Sequence, residues 1–372
     1  MKASEGTKGI VTGRTRTVPR WQLTRWPGWV GYAAATWSLM YGALGLWWAS
    51  GGAGFPFGVE NDPEAAAESI LGGARAVTTA PLIAALGLSG AAVAVAMTRR
   101  WRLGERGLFR TALILFAWGA SVALLLVIPD RRVLIAVAYA PIFLVGAPFG
   151  WPPANYFEVA LPWPVINQFV CIAGGFLCAG AAVAYGRRTR GACAYCGRSD
   201  AGGGWTTPSA AARWGRWATY VAVIVPLPYA AIRWAWALGI PFGITEEFLR
   251  EGQEIGLWRA GACLSTVDLV GAILTLGLVQ RWGEVFPRWM VGLSGRRVPP
   301  AMAIIPASLV SVMVTSAGVQ VVRDFLAEGF PADGWATVVP GLVWPLWGVA
   351  LGAATLAYYY RRRGRCSHCG RV

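Results

Sequence analysis

The chain has 372 residues, 56 % of them hydrophobic and 14 % charged, with a mean hydropathy of +0.49. An ordinary soluble domain is about one-quarter charged, and a single soluble core cannot hold eight separate apolar runs, because most of its helices need a polar face. The net charge of +15 suggests nucleic acid at first sight, but the basic residues are placed as topology signals, and that partner is excluded.

Residues 1–27 form a basic N-terminus. The apolar run after it is longer than a secretory signal core and has no clear small-residue cleavage site, so it reads as a first membrane anchor. Apolar runs follow at 28–49, 76–97, 111–128, 164–185, 217–239, 260–280, 300–322 and 336–360. Each approaches or exceeds the roughly 20 residues that cross the hydrocarbon. The expected fold is therefore an all-α polytopic transmembrane bundle of about eight spans. A ninth apolar stretch, 133–150, leads into the Trp- and Pro-rich segment 151–164. A ninth crossing would reverse the side of the Arg-rich stretch 187–216, so 133–150 is expected to be a re-entrant or interfacial piece, tolerated where protein or a wet cavity covers it.

Charge fixes the expected orientation. Of 33 basic residues, 26 fall in the stretches 2–25, 99–110, 187–216, 281–297 and 361–371, whereas most acids occupy the alternate connections, such as Asp62, Glu64 and Glu68. Basic residues concentrate in cytoplasmic loops, so a multi-pass cell-membrane protein with both termini in the cytoplasm is expected, with some attraction to anionic lipid. Trp26, Trp29, Trp101, Trp163, Trp217, Trp258 and Trp282 stand at expected helix ends, where the indole ring prefers the headgroup zone. Arg outnumbers Lys heavily, a bias that suggests a bacterial source.

The chain reads as a duplication. Residues 180–198, GAAVAYGRRTRGACAYCGR, parallel 352–371, GAATLAYYYRRRGRCSHCGR. Residues 41–58 parallel 229–243, and an Arg-Ala pair opens the next helix at Arg75 and Arg259. The expected organisation is a first four-span repeat (28–186), a cytoplasmic linker (187–216), a second four-span repeat (217–360) and a cytoplasmic tail (361–372). An even number of spans per half gives both halves the same orientation, a parallel repeat about an axis along the membrane normal.

Four of the seven cysteines form two Cys-x-x-Cys pairs, Cys193/Cys196 and Cys366/Cys369. Such a turn points two thiolates at one cation, and two turns complete the tetrahedral shell of Zn²⁺. The pairs lie far apart in sequence, but equivalent points on two halves can meet at their shared axis, so a structural zinc is the expected cofactor. Separate metal sites with His368 as an extra ligand, an iron–sulfur cluster and redox dithiols are the alternatives. Cys171, Cys178 and Cys263 fall inside apolar helices as packing residues.

Inside the apolar segments, Asp268 lies about nine residues into its span, roughly 14 Å deep. Arg233 enters the preceding span from the outer side at a depth that allows the two to pair. An intramembrane ionisable group is a functional-site hypothesis, and a packing ion pair is the plainer alternative. Asn167 and Gln168 are candidates to line the same cavity or to bond a neighbouring helix; Arg75 and Arg259 mark the outer rim. No P-loop, HExxH or GxSxG motif stands in a suitable context, which argues against an enzyme. The reading is a membrane protein that binds or passes a small solute or ion between its repeats. The alternative is a membrane-anchored sensor or scaffold whose zinc clamp docks a cytoplasmic partner.

Overall fold

The computed structural model describes residues 26–99, 107–150, 154–199 and 204–371. Within them all named elements are helical. They are α1 (Trp26–Ala49), α2 (Ala65–Glu68), α3 (Ala76–Thr98), α4 (Gly107–Val122, continued by a π-helical turn Ala123–Val127), α5 (Arg131–Gly146) and α6 (Tyr156–Ala160). The series continues with α7 (Trp163–Thr189), α8 (Pro208–Ile224), α9 (Leu227–Ala237), α10 (Glu246–Glu254), α11 (Leu257–Leu276), α12 (Pro300–Glu328), α13 (Val339–Leu342) and α14 (Trp344–Arg362).

Seven helical segments are long and apolar enough to cross a membrane: 76–98, 107–127, 131–149, 163–189, 208–237, 257–276 and 300–328. This points to a multi-pass protein seated in a lipid bilayer. Two further helices, α1 and α14, have spanning length. Leu82, Leu86, Leu115, Ile273, Leu274 and Val349 are exposed on the bundle surface, as side chains facing lipid would be.

Local chemistry sets the helix ends. Asp130 caps α5 by accepting from the Arg132 backbone N–H, and Thr207 caps α8 ahead of Pro208 at the first helical position. Pro226 lacks the N–H that would continue α8, so the 208–237 segment breaks into α8 and α9.

Helices α1 and α3 cross on small residues. A Cβ on Gly45 would stand 2.5 Å from the Ala84 backbone nitrogen, and one on Gly87 would stand 2.5 Å from the Gly42 Cα. Close backbone approach of this kind drives helix association in lipid. In the C-terminal part, Gly348 of α14 sits against Ser311 and Thr315 of α12 in the same way. Helix α7 packs on α1 and α4, and α14 packs on α8 and α12. Helix α5 packs chiefly on α12 and also touches α6, α7 and α11; Val133 and Ala136 of α5, Val165 and Ile172 of α7 and Met313 of α12 form one cluster there.

The ends of the bundle differ in charge. Trp26, Met97, Thr189, Leu278, Glu284 and Arg363 gather near the cysteine pairs through contacts with Arg187, Arg188, Arg110, Arg361 and Arg198. At the other end lie the acidic connection before α3, the start of α5 and the start of α7. Both ends of the 131–162 stretch lie at that face. The Asp130 N–H donates to Gln168 Oε1 of α7 (2.9 Å), and Trp163 Nε1 donates to the Gly54 carbonyl (2.8 Å).

Candidate metal centre

Each Cys-x-x-Cys segment folds as a knuckle closed by the backbone. The Cys193 N–H donates to the Arg198 carbonyl (2.9 Å) and the Gly197 N–H to the Cys193 carbonyl (2.7 Å); Cys366 with Arg371 (2.9 Å) and Gly370 with Cys366 (2.8 Å) repeat the pattern. Gly197 and Gly370 take φ of 74° and 73°, the left-handed backbone that glycine adopts without a Cβ penalty. Arg187 braces the first knuckle by donating to the carbonyls of Ala194 (3.3 Å) and Tyr195 (3.0 Å).

The knuckles face each other through reciprocal contacts. Arg198 Nη1 donates to the Arg371 carbonyl and Arg371 Nη1 to the Arg198 carbonyl, both at 3.0 Å. The rings of Tyr195 and His368 lie against each other, tilted by 33°, with centroids 4.4 Å apart. This closes four sulfurs into one group: the ligand atoms of Cys193, Cys196, Cys366 and Cys369 all lie within 4.8 Å of one another. Cys196 Sγ and Cys369 Sγ are 3.6 Å apart, and no disulfide links any of the four. A tetrahedral shell with zinc–sulfur bonds of about 2.3 Å has edges of about 3.8 Å, so this donor set fits a tetra-thiolate ion after sub-ångström adjustment. His368 packs against Tyr195 and is not one of the four donors.

The local electrostatics favour the thiolate at Cys366 and Cys193 and oppose it at Cys196. Burial opposes charge on Cys366, but the backbone N–H groups of Cys369 and His368 and the neighbouring sulfurs outweigh it and bring the thiol down to about 7; Cys193 is lowered in the same sense. Cys196 is pushed up to about 11, by burial and by the three sulfurs it faces. Arg363 bonds the Cys196 carbonyl (2.8 Å), so guanidinium groups surround the centre and offset the charge of bound thiolates. Compared with known proteins, the chain matches no family model, no curated sequence and no solved structure.

The other sequence candidates are dispersed. Arg233 stacks over the rings of Tyr229 (5.0 Å) and Trp236 (4.8 Å) and forms no ion pair with Asp268. The Asp268 Oδ2 is buried without a hydrogen-bond partner. Asn167 accepts from the Tyr41 hydroxyl (3.0 Å), and the Cys171 thiol donates to the same hydroxyl oxygen (3.3 Å). Gln168 serves a different cluster, through Nε2 to Asp130 (2.7 Å). Arg75 and Arg259 are exposed at the starts of α3 and α11.

That cluster is the functional-looking feature sequence reasoning missed. Arg132 donates to both oxygens of Asp62 (2.9 and 2.7 Å) and to Asp130 (2.7 Å), while Arg131 pairs with Glu68. Gln320 of α12 accepts from the Arg131 N–H (2.9 Å) and donates to the Glu68 carbonyl. Acids at 62 and 68, read as charges of an external connection, are thereby tied to α5 and, for Glu68, to α12. Two adjacent arginines on the otherwise acidic side of the chain were the available signal.

Proposed function

We propose that the chain is a cell-membrane protein of two like-oriented four-span halves, clasped at their cytoplasmic ends by one structural zinc ion. The observation that carries this reading is the convergence of four sulfurs from two knuckles 173 residues apart. A closed shell of four thiolates leaves no open coordination position, which suits a structural and not a catalytic ion. The duplication is supported by matched packing: α7 on α1 and α4 is paralleled by α14 on α8 and α12. Tyr195 and His368, and Arg198 and Arg371, are paired across the same spacing. With α1 and α14 counted as spans and 131–162 entering and leaving on one face, eight crossings remain, α5 being the re-entrant piece. The concentration of arginine at the cysteine end then places both termini in the cytoplasm. Cobalt substitution tests the centre: thiolate-to-cobalt charge transfer with tetrahedral d–d absorption is expected, and an octahedral spectrum without charge transfer refutes it.

Within this frame the molecule binds or passes a small solute or ion beside α11. The supporting observation is the unpartnered Asp268 oxygen, since an isolated buried carboxyl is costly and is retained where it is used. Where α1 and α3 cross on glycines, α9 and α11 carry Arg233 and Asp268 instead, and Tyr139 of the inserted α5 lies within electrostatic reach of Arg233. Asp268→Asn in reconstituted vesicles should abolish a flux while the protein stays folded; an unchanged flux sinks this role.

A further inference from the structure

Two hollows flank α1 at its arginine-rich end. One, of about 180 Å³, lies among α1, α3 and α7 and is lined by Tyr32, Thr98, Tyr185 and Arg188 among others. The second, of about 520 Å³, is an apolar groove between α1 and α3 that runs past Leu39, Ala92 and Val95 and ends at Arg99. Tyr32 lines both, so the two form neighbouring compartments, one polar and one greasy.

The polar compartment contains an unsatisfied cation. Arg188 is held by the carbonyls of Met97 and Thr98 and lies over the Tyr185 ring (5.4 Å), yet its Nε is buried without a hydrogen-bond partner. Its counterpart 173 positions later, Arg361, makes the same bond to the Leu278 carbonyl but also pairs with the Glu284 carboxylate (3.2 Å). Among the described residues no carboxylate neutralises Arg188 or Arg99. Among the described residues, the same scaffold position therefore carries its own anion in one half and none in the other.

Resting on the membrane reading above, we propose that the arginine-rich ends of α1, α3 and α7 form a site for one anionic phospholipid. Its phosphodiester sits between Arg188 and Arg99, and one acyl chain lies in the α1/α3 groove. A half-buried guanidinium with an unpartnered N–H favours an anion, and an apolar groove that opens toward the bilayer beside it favours an acyl chain over a free ion. Two arginines without a carboxylate among the described residues select a net-negative headgroup, because a zwitterionic one brings its own cation into the same space.

The test uses the full chain in detergent, with lipid retention read by native mass spectrometry. Phosphatidylglycerol and phosphatidylcholine are offered separately, and glycerol phosphate is offered as the free headgroup. Retention of phosphatidylglycerol over phosphatidylcholine is expected. At the usual worth of a basic residue near a membrane surface, Arg99→Gln should weaken retention about fivefold and Arg99→Gln with Arg188→Gln about 30-fold. Arg250→Gln, on the opposite face, should leave it unchanged. Arg99 is exposed and makes no side-chain bond to another described residue, so the single variant stays informative if loss of Arg188 disturbs folding. Equal retention of both lipids, no effect of Arg99→Gln, or glycerol phosphate displacing the lipid completely overturns the site while leaving the membrane reading intact. Retention of neither lipid likewise overturns the site and leaves the membrane reading, which rests on the seven apolar helices, intact.

Discussion

Replacing one cysteine at a time separates a shared metal centre from two independent ones. With all four sulfurs within 4.8 Å, Cys193→Ser and Cys366→Ser remove a ligand from the same shell, although they sit in different knuckles. Each variant should therefore lose the whole of one zinc per chain, measured by elemental analysis of purified protein. Independent knuckles predict instead that each variant retains half of two. Stability gives a second readout, because a metal held at about a thousandfold over its dissociation constant stabilises the folded state by about 4 kcal/mol. At roughly 2 °C per kcal/mol for a chain of this size, chelation should lower the melting temperature by about 8 °C. The four serine variants should already melt at the chelated temperature and respond no further. Half-occupancy in either variant, or a chelator response surviving in Cys196→Ser, would refute the shared shell.

Arg132 is enclosed with Asp62 and Asp130, whose side chains are 7 % and 3 % exposed. Arg132→Met strands two buried carboxylates and should cost about 3–5 kcal/mol; Asp62→Asn should cost less, and thermal denaturation ranks the two. Gly45→Ala drives a Cβ into the Ala84 backbone, which cannot yield as a side chain can, so about 1–3 kcal/mol of overpacking is expected. Gly271→Ala, with no atom within 4 Å of the added carbon, should be neutral or stabilising by up to about 1 kcal/mol. Dicyclohexylcarbodiimide, an apolar reagent for protonated carboxyls, should modify Asp268 ahead of the loop acids. Peptide mass spectrometry locates the adduct, and labelling confined to loop acids would show that Asp268 is not a protonatable site inside the bilayer.

The primary sequence determined the membrane class, the spacing of the long helices and the identity of the four cysteines that converge. These are properties of short windows: apolar length is read residue by residue, charge segregates by connection, and a Cys-x-x-Cys knuckle with its following glycine is a local turn. The sequence also paired the knuckles correctly, through the match between 180–198 and 352–371. Pairing of Arg233 with Asp268 was the natural expectation from depth alone, but depth leaves helix rotation unset, and Arg233 turns to Tyr229 and Trp236. Tertiary structure alone decided that Gln168 serves Asp130 while its neighbour Asn167 serves Tyr41, because adjacent residues point about 100° apart on a helix. It alone brought Asp62 and Glu68 onto Arg132 and Arg131 and tied them to Gln320, some 250 residues away. Long-range polar pairs of this kind depend on how α5 inserts against α12, a packing choice that no window of sequence encodes.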